Sequence, residues 1–418
     1  MPRASVLAPF QVRSFRFQWP ADLATSWAFE METIILSWYV LVETGSVLLL
    51  TVFASLLYLG TLLAPVFGVM GDRIGHRNVL CAMRAVYATL ATAMTLFIFS
   101  GVLTPVHVLV IASLVGMVRP SDLGMRSSLI GDTMPAERLM GAMSIQRTTQ
   151  DSARVAGALT GAGLVATLGM GPAYLIVVSL YTASFVLTLK ARGAGSAQHR
   201  AKYAGDAPVR ASPWRDLKAG IAYVWAAPHL RAVMYMAFLV NLTAFPLTNG
   251  LLPYVAKAIY RTDQTGLGYL VASFAGGALL GSVFLSRIGH AIHPARVMMV
   301  FCAVWYAIVL AFAQMRSSTS GIPVLVLAGL AQSLCMVPMS ALLLRTTGAE
   351  FRGCVMGIRM LMIYGVPIGL LTSGPLIRQL GYHATATLYC VVGLAFTALI
   401  AVRWRDSLWR LDALSNKR

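Results

Sequence analysis

Stretches of apolar sequence, each about as long as a bilayer-crossing helix, follow one another along nearly all of this 418-residue chain. A helix needs about 20 predominantly apolar residues to cross the hydrocarbon core. In lipid every backbone polar group must be satisfied internally, so only helices and closed barrels span it. Broken by Gly, Pro and charge clusters, the runs predict twelve spans, at 20–42, 46–70, 79–99, 104–127, 139–166 and 171–190, then at 231–256, 266–286, 295–315, 321–344, 356–378 and 384–403. Only 11% of the residues are charged, against about 25% in a soluble domain. The expected class is therefore an all-α integral membrane protein.

The 33 Lys and Arg against 15 Asp and Glu give a formal charge of +18. With the N-terminus in the cytoplasm, most basic residues fall in loops on that side. The positive-inside rule then accounts for the excess without a nucleic-acid partner. This predicts a bacterial inner-membrane protein with both termini cytoplasmic; the preference for Arg over Lys suits a GC-rich bacterial genome. Trp19 and Trp38-Tyr39 bracket the first span as interfacial rings. The residues before Trp19 carry Arg3, Arg13 and Arg16 but no apolar core leading to a cleavage site, so they are expected to be a cytoplasmic tail rather than a signal peptide.

The longest polar stretch, Arg192 to Ser212, divides the chain into 1–192, a linker at 193–229, and 230–418. Trp214, Leu217, Ile221 and Trp225 recur at helical spacing in that linker. They suit an amphipathic helix on the membrane face or a plain connecting helix. The two parts echo each other. Asp72-Arg73-Ile74-Gly75-His76 recurs as Ser286-Arg287-Ile288-Gly289-His290, Ala136-Glu137 as Ala349-Glu350, and Leu168-Gly169 as Leu380-Gly381. Nearly constant separations, in order, argue for a parallel duplication with a substrate site between the halves.

Charge inside the spans is the most informative chemistry, because an ionised residue at mid-bilayer costs roughly 2.5–3.5 kcal/mol on insertion scales. Such residues gather in the first half: Asp22, Glu30, Glu32, Arg84, Arg119, Asp122, Arg147, Asp151 and Arg154, with Arg359 in the second. At about 100° per residue, Arg119, Asp122 and Arg126 share one stripe of span four, and Arg147, Asp151 and Arg154 one stripe of span five. Antiparallel spans then suggest a ladder pairing Asp122 with Arg147 and Arg119 with Asp151, either functional or a static network. In span one, Asp22, Ser26, Thr33 and Ser37 form a polar stripe. Glu30 lies nearer its centre than Glu32, making it the first choice for a proton-exchanging carboxylate and Glu32 the second, with a structural salt bridge to span five as the competing role. In the second half, Asn241, Phe245, Asn249, Gln332 and Tyr364 suit a milder, aromatic substrate wall or ordinary helix contacts. Five scattered cysteines, no plausible histidine cluster and no phosphate-binding loop give no reason to expect a disulfide framework, a metal, a cofactor or an enzyme.

Between spans two and three, Gly68-Val69-Met70-Gly71-Asp72-Arg73-Ile74-Gly75-His76-Arg77 sets small residues beside an acid that can meet a helix N-terminus. This resembles the cytoplasmic signature loop of the major facilitator superfamily, G-x-L-A-D-R-x-G-R-K-x-x-L, with Met70 for Leu and His76-Arg77 for Arg-Lys. Phe15-Arg16 through Trp19, Ser37-Trp38, Thr44-Gly45-Ser46 and the stretch from Asp216 to Arg231 resemble the branch that contains the enterobactin exporter and macrolide-efflux proteins. Arg154-Val155-Ala156-Gly157-Ala158-Leu159-Thr160-Gly161-Ala162 is similar to the antiporter signature of span five, but Ala158 and Ala162 depart from it.

The resemblance implies two pseudo-symmetric six-helix bundles rocking about a central cavity. It implies that Gly68, Asp72, Arg73, Gly75 and Arg77 latch the halves, with Asp72 meeting the start of span eleven at Arg352. It implies export of an amphipathic small molecule (a siderophore, antibiotic or drug) by a monomer in contact with membrane lipid, and protons drive the export. An importer or facilitator on the same fold, and a non-transporting membrane sensor, stay open at this point.

Overall fold

Glycine ends several of these helices where the sequence places it. The computed structural model describes residues 8–191, 221–288, 293–348, 351–405 and 407. Its helices are α1 Arg13–Thr44, α2 Val47–Leu56, α3 Ala64–Ile74, α4 His76–Phe99, α5 Pro105–Thr133, α6 Ala136–Leu168, α7 Met170–Lys190 and α8 Pro228–Phe245. They continue with α9 Gln264–Ile288, α10 Pro294–Gln314, α11 Ser318–Thr346, α12 Arg352–Leu361, α13 Gly365–Leu380 and α14 Tyr382–Arg403. Gly169 and Gly381, the glycines of the repeated Leu-Gly pair, take nearly the same conformation: φ 85°, ψ 173° between α6 and α7, and φ 81°, ψ 167° between α13 and α14. L side chains rarely adopt such a φ, so this echo is a shared turn.

Among the described residues, nine helices are long and apolar enough to cross a membrane. The runs expected as spans one, five and two differ for physical reasons. Helices α1 and α6, of 32 and 33 residues, are long enough but carry the buried charge. The second run is broken: α2 gives way to a 3-10 turn at Leu59–Leu63 before α3 resumes. At that break Gly60 meets the backbone of Met117, leaving no room for a Cβ. The seventh run is also irregular, passing through π turns at Pro246–Gly250 and Val255–Ile259 on either side of Leu252–Tyr254.

The chain forms two compact units: Met1–Ser46 with Leu56–Val209, and Val47–Ser55 with Arg210–Arg418. In the first unit α1 packs on α6 and α7, α4 on α7 and α5, and α5 on the Leu59–Leu63 turn. In the second, α8 packs on α13 and α14, α10 on α14 and α11, and α11 on α9. These are the same pairings, span for span, six spans later. Assigning most of α2 to the second unit was not legible in the sequence. There the Ser55 hydroxyl donates to the carbonyl of Pro367 at 3.4 Å, and Gly374 faces Thr51 and Leu48. The expected boundary at 192–193, Trp214 and Leu217, the pair Ala349-Glu350, and the side chains of Asp72, Arg352 and Ser286 to His290 lie outside the described residues and side chains.

Candidate functional site

Helix α1 carries four acids, of which Asp22, Glu30 and Glu32 are each held differently. Asp22 is 4% exposed and pairs with Arg84 of α4, while Arg126 of α5 brings its Nε to 3.7 Å. Arg126 in turn pairs with Asp122 at 2.5 Å and donates to the Asp22 carbonyl at 3.1 Å and the Ser26 hydroxyl at 2.7 Å. Arg84 also donates to Thr188 of α7. Two arginines and two aspartates thus share one buried cluster whose formal charges cancel. That balance is how a low-dielectric interior tolerates ions at all.

Glu30 is the wet acid. Its two carboxylate oxygens lie 4.0 Å from Arg119 of α5 and 4.0 Å from Arg154 of α6. The three side chains keep 23%, 24% and 32% of their surface exposed. Arg119 donates to Thr33 at 3.1 Å and sits 4.8 Å from the centroid of the Phe29 ring. The structural bridge to span five considered for Glu30 is therefore present, with a second arginine opposite it.

Glu32 is 7% exposed and is held by hydroxyls. Tyr174 donates to one carboxylate oxygen at 2.5 Å and Tyr181 to the other at 2.7 Å. Both tyrosines lie on α7, seven residues apart and hence on one helix face. The sequence reading missed them, although that spacing beside an intramembrane acid was the available signal. Tyr181 is surrounded by further rings, with Phe29 and Tyr87 each 5.6 Å away.

The expected ladder between spans four and five is not how the charges pair. Asp122 pairs with Arg126 on its own helix, and Arg147 with Asp151, 3.4 Å apart, also within one helix. Arg119 and Arg154 turn instead to Glu30. Arg119, Arg126 and Arg154 of the two stripes reach α1, which supplies opposite charges, whereas the Arg147 side chain stays 63% exposed. Gly157 and Gly161 make that approach possible. A Cβ on Gly157 would lie 2.7 Å from the Cβ of Glu30, and one on Gly161 would lie 2.9 Å from the Cα of Met31. Trp27 and Trp19 fasten the same seam through their indole N–H groups, to Thr160 and Thr149, each at 2.8 Å. Trp19, expected as an interfacial ring, also makes a helix-packing contact.

In the loop between α3 and α4, Gly75 adopts φ 91°, the tight turn its residue type suggested. Arg77 donates to the carbonyls of Thr188 and Leu189, capping the C-terminus of α7, where exposed carbonyls and the helix dipole favour a cation. His76 meets Asp132 of α5 at 2.6 Å. Arg73 is exposed, and Gly68 has open space where a Cβ would stand. In the second unit, Asn241 donates to Ala237 of its own helix at 2.7 Å and lies against Gly365, next to Tyr364. Phe245 stacks edge-on to Trp305. Asn249 donates to the Phe245 carbonyl at 3.4 Å, and Gln332 is buried within α11. Asn241 and Asn249 thus hydrogen-bond to their own helical segment.

Repeated helix pairings, apolar spans and an acid-bearing first helix define a multi-span membrane transporter of the major facilitator fold. The chain belongs to the transmembrane secretion effector family of that superfamily, whose model matches residues 4–415; it is a major facilitator exporter. It is 25% identical over 386 residues to the multidrug efflux pump Tap of Mycobacterium tuberculosis, covering 88% of this chain and 87% of the relative. The Tap pump of Mycolicibacterium fortuitum is 24% identical over 376 residues, covering 83% and 85%. Among solved structures, the POT family transporter PepTSo matches with a TM-score of 0.74 at 12% identity, over 95% of this chain and 98% of that one. The nucleoside transporter NupG matches with a TM-score of 0.71 at 13% identity, over 94% and 99%. These two likenesses concern the fold alone.

Proposed function

We propose that this protein expels an amphipathic small molecule, a drug, antibiotic or siderophore, from a bacterial cell across the inner membrane by proton-coupled antiport. Twelve spans in two six-helix bundles, 1–192 and 230–418, alternate access to a substrate site, with 193–229 linking them and both termini cytoplasmic. The family and the efflux pumps it resembles support the direction and the substrate class.

The observation that carries the coupling is the pair of tyrosine hydroxyls on Glu32. Glu30, first choice from its position on the helix, sits between two guanidiniums, groups that only donate. Glu32 is instead held by groups that accept as well as donate. A carboxylate takes both phenolic hydrogens; a carboxylic acid has its own hydrogen to give, and one tyrosine turns to accept it. Proton uptake at Glu32 therefore rearranges the contact between α1 and α7 without leaving a bare cation behind. Each proton moved down a 100 mV potential yields about 2.3 kcal/mol, sufficient to concentrate a neutral substrate almost fiftyfold.

Everted membrane vesicles containing the protein test this reading with a fluorescent amphipathic dye. An imposed pH gradient should drive dye uptake in the wild type. Uptake indifferent to the gradient, with counterflow intact, overturns coupling in favour of a facilitator. Absence of any flux, with Glu32→Gln matching the wild type, overturns transport of this substrate class.

A further inference from the structure

Three aromatic rings form a chain at one end of the second unit. Tyr235 of α8 lies 6.4 Å from Trp225 at an interplanar angle of 75°, and 5.7 Å from Trp404 at 45°. Trp225 belongs to the helical stretch 221–226 ahead of α8, and Trp404 caps the C-terminus of α14. The cluster is open: Trp225 keeps 55% and Tyr235 42% of its surface exposed, and the neighbouring Val402 keeps 77%.

Arginines flank the same rings in the chain. The Arg403 guanidinium lies 5.7 Å from the Trp404 ring centroid, and Arg405 is exposed beyond it. Arg231 precedes Tyr235 by one turn on the same face of α8, and its Nε is buried without a hydrogen-bond partner. Trp225 is firmly placed, because two residues earlier Tyr223 stacks on Phe351 at 4.4 Å and accepts the Gly348 N–H at 3.3 Å.

We propose that this cluster is a binding site for an anionic phospholipid. Its phosphate sits against Arg231 and Arg403, its glycerol boundary against the rings of Trp225, Tyr235 and Trp404, and its acyl chains along Val402. Arginine forks match phosphate oxygens in geometry as well as charge, and Trp and Tyr favour the headgroup level because one end of each ring is polar. Arginine charge beside an exposed aromatic and apolar surface suits a ligand that is anionic at one end and oily at the other. Free phosphate satisfies only the first requirement. Placement in the cytoplasmic leaflet rests on the orientation proposed above; the binding chemistry does not.

The test uses the full-length protein purified in a neutral detergent, with phosphatidylglycerol, phosphatidylcholine of the same chains, and inorganic phosphate as probes. Thermal unfolding and native mass spectrometry read binding. Phosphatidylglycerol should stabilise the wild type and form discrete adducts, while phosphatidylcholine and phosphate do neither. Arg403→Gln and Arg231→Gln should each weaken phosphatidylglycerol binding about fivefold, as expected for one basic residue at an anionic surface. Arg316→Gln, an exposed arginine two residues beyond the C-terminus of α10, should leave it unchanged. Equal binding of the two lipids, stabilisation by phosphate alone, or full binding by both variants overturns the proposal. No substrate enters the assay, so its failure and a failure of the export reading are told apart.

Discussion

Glu32 and Asp22 lie on one helix and are both buried, yet their neighbours assign them different work. Asp22 is one of four charges that cancel, and removing it leaves Arg84 and Arg126 facing a single carboxylate. Asp22→Asn should therefore cost about 3–5 kcal/mol, the range for breaking a buried pair from one side, and lower the unfolding temperature of purified protein whatever the substrate. Glu32→Gln should behave oppositely, with near-normal unfolding but dye uptake in everted vesicles that no longer responds to a pH gradient. Tyr181→Phe removes one hydroxyl from a charged acceptor, an interaction of about 1.5–3 kcal/mol. It should shift the pH midpoint of transport while some coupling remains. Asp22, Glu30 and Glu32 were all visible in the sequence as candidates. Their different partners were not, because the tyrosines and arginines that hold them come from other helices.

Helices meet here where small residues let backbones touch. Gly157 and Gly161 set α6 against α1; Gly277 and Gly329 bring α9 and α11 together; Gly365 and Gly369 seat α13 on α8. Such contacts drive association in lipid, where burial of apolar surface gives no advantage over the acyl chains. Gly161→Leu should part α1 from α6, lowering both the yield of folded protein and its unfolding temperature. Gly163→Ala, two residues away with open space at its Cβ position, should be silent in the same measurement. The Gly-x-x-x-Gly spacing was legible in the sequence, as were most helix limits, since both are local patterns. The break in the second run and the π turns after α8 were not, because they depend on what the neighbouring backbone leaves room for.

Across the whole chain, the same helix pairings occur in both units although charge is concentrated in the first. The repeated pairings give both units one frame, in which the first carries most of the ion pairs and the second is mainly apolar and aromatic. An orientation with basic loops inward predicts that green fluorescent protein fused after Arg418 is fluorescent, whereas alkaline phosphatase fused there is inactive. The reverse pattern would place the basic loops outside and require a different reading of the linker.

Length, apolar period and loop charge were enough to establish a multi-span helical membrane protein with an internal repeat, because each is a property of a single helix or loop meeting its solvent. Partner choice among the buried charges was decided only when the helices packed. An ion in a low-dielectric interior pairs with whichever opposite charge the backbones bring within a few ångströms; for Asp22 and Glu30 the close seams around α1 determined which those were, whereas Asp122–Arg126 and Arg147–Asp151 are one-turn pairs within a helix.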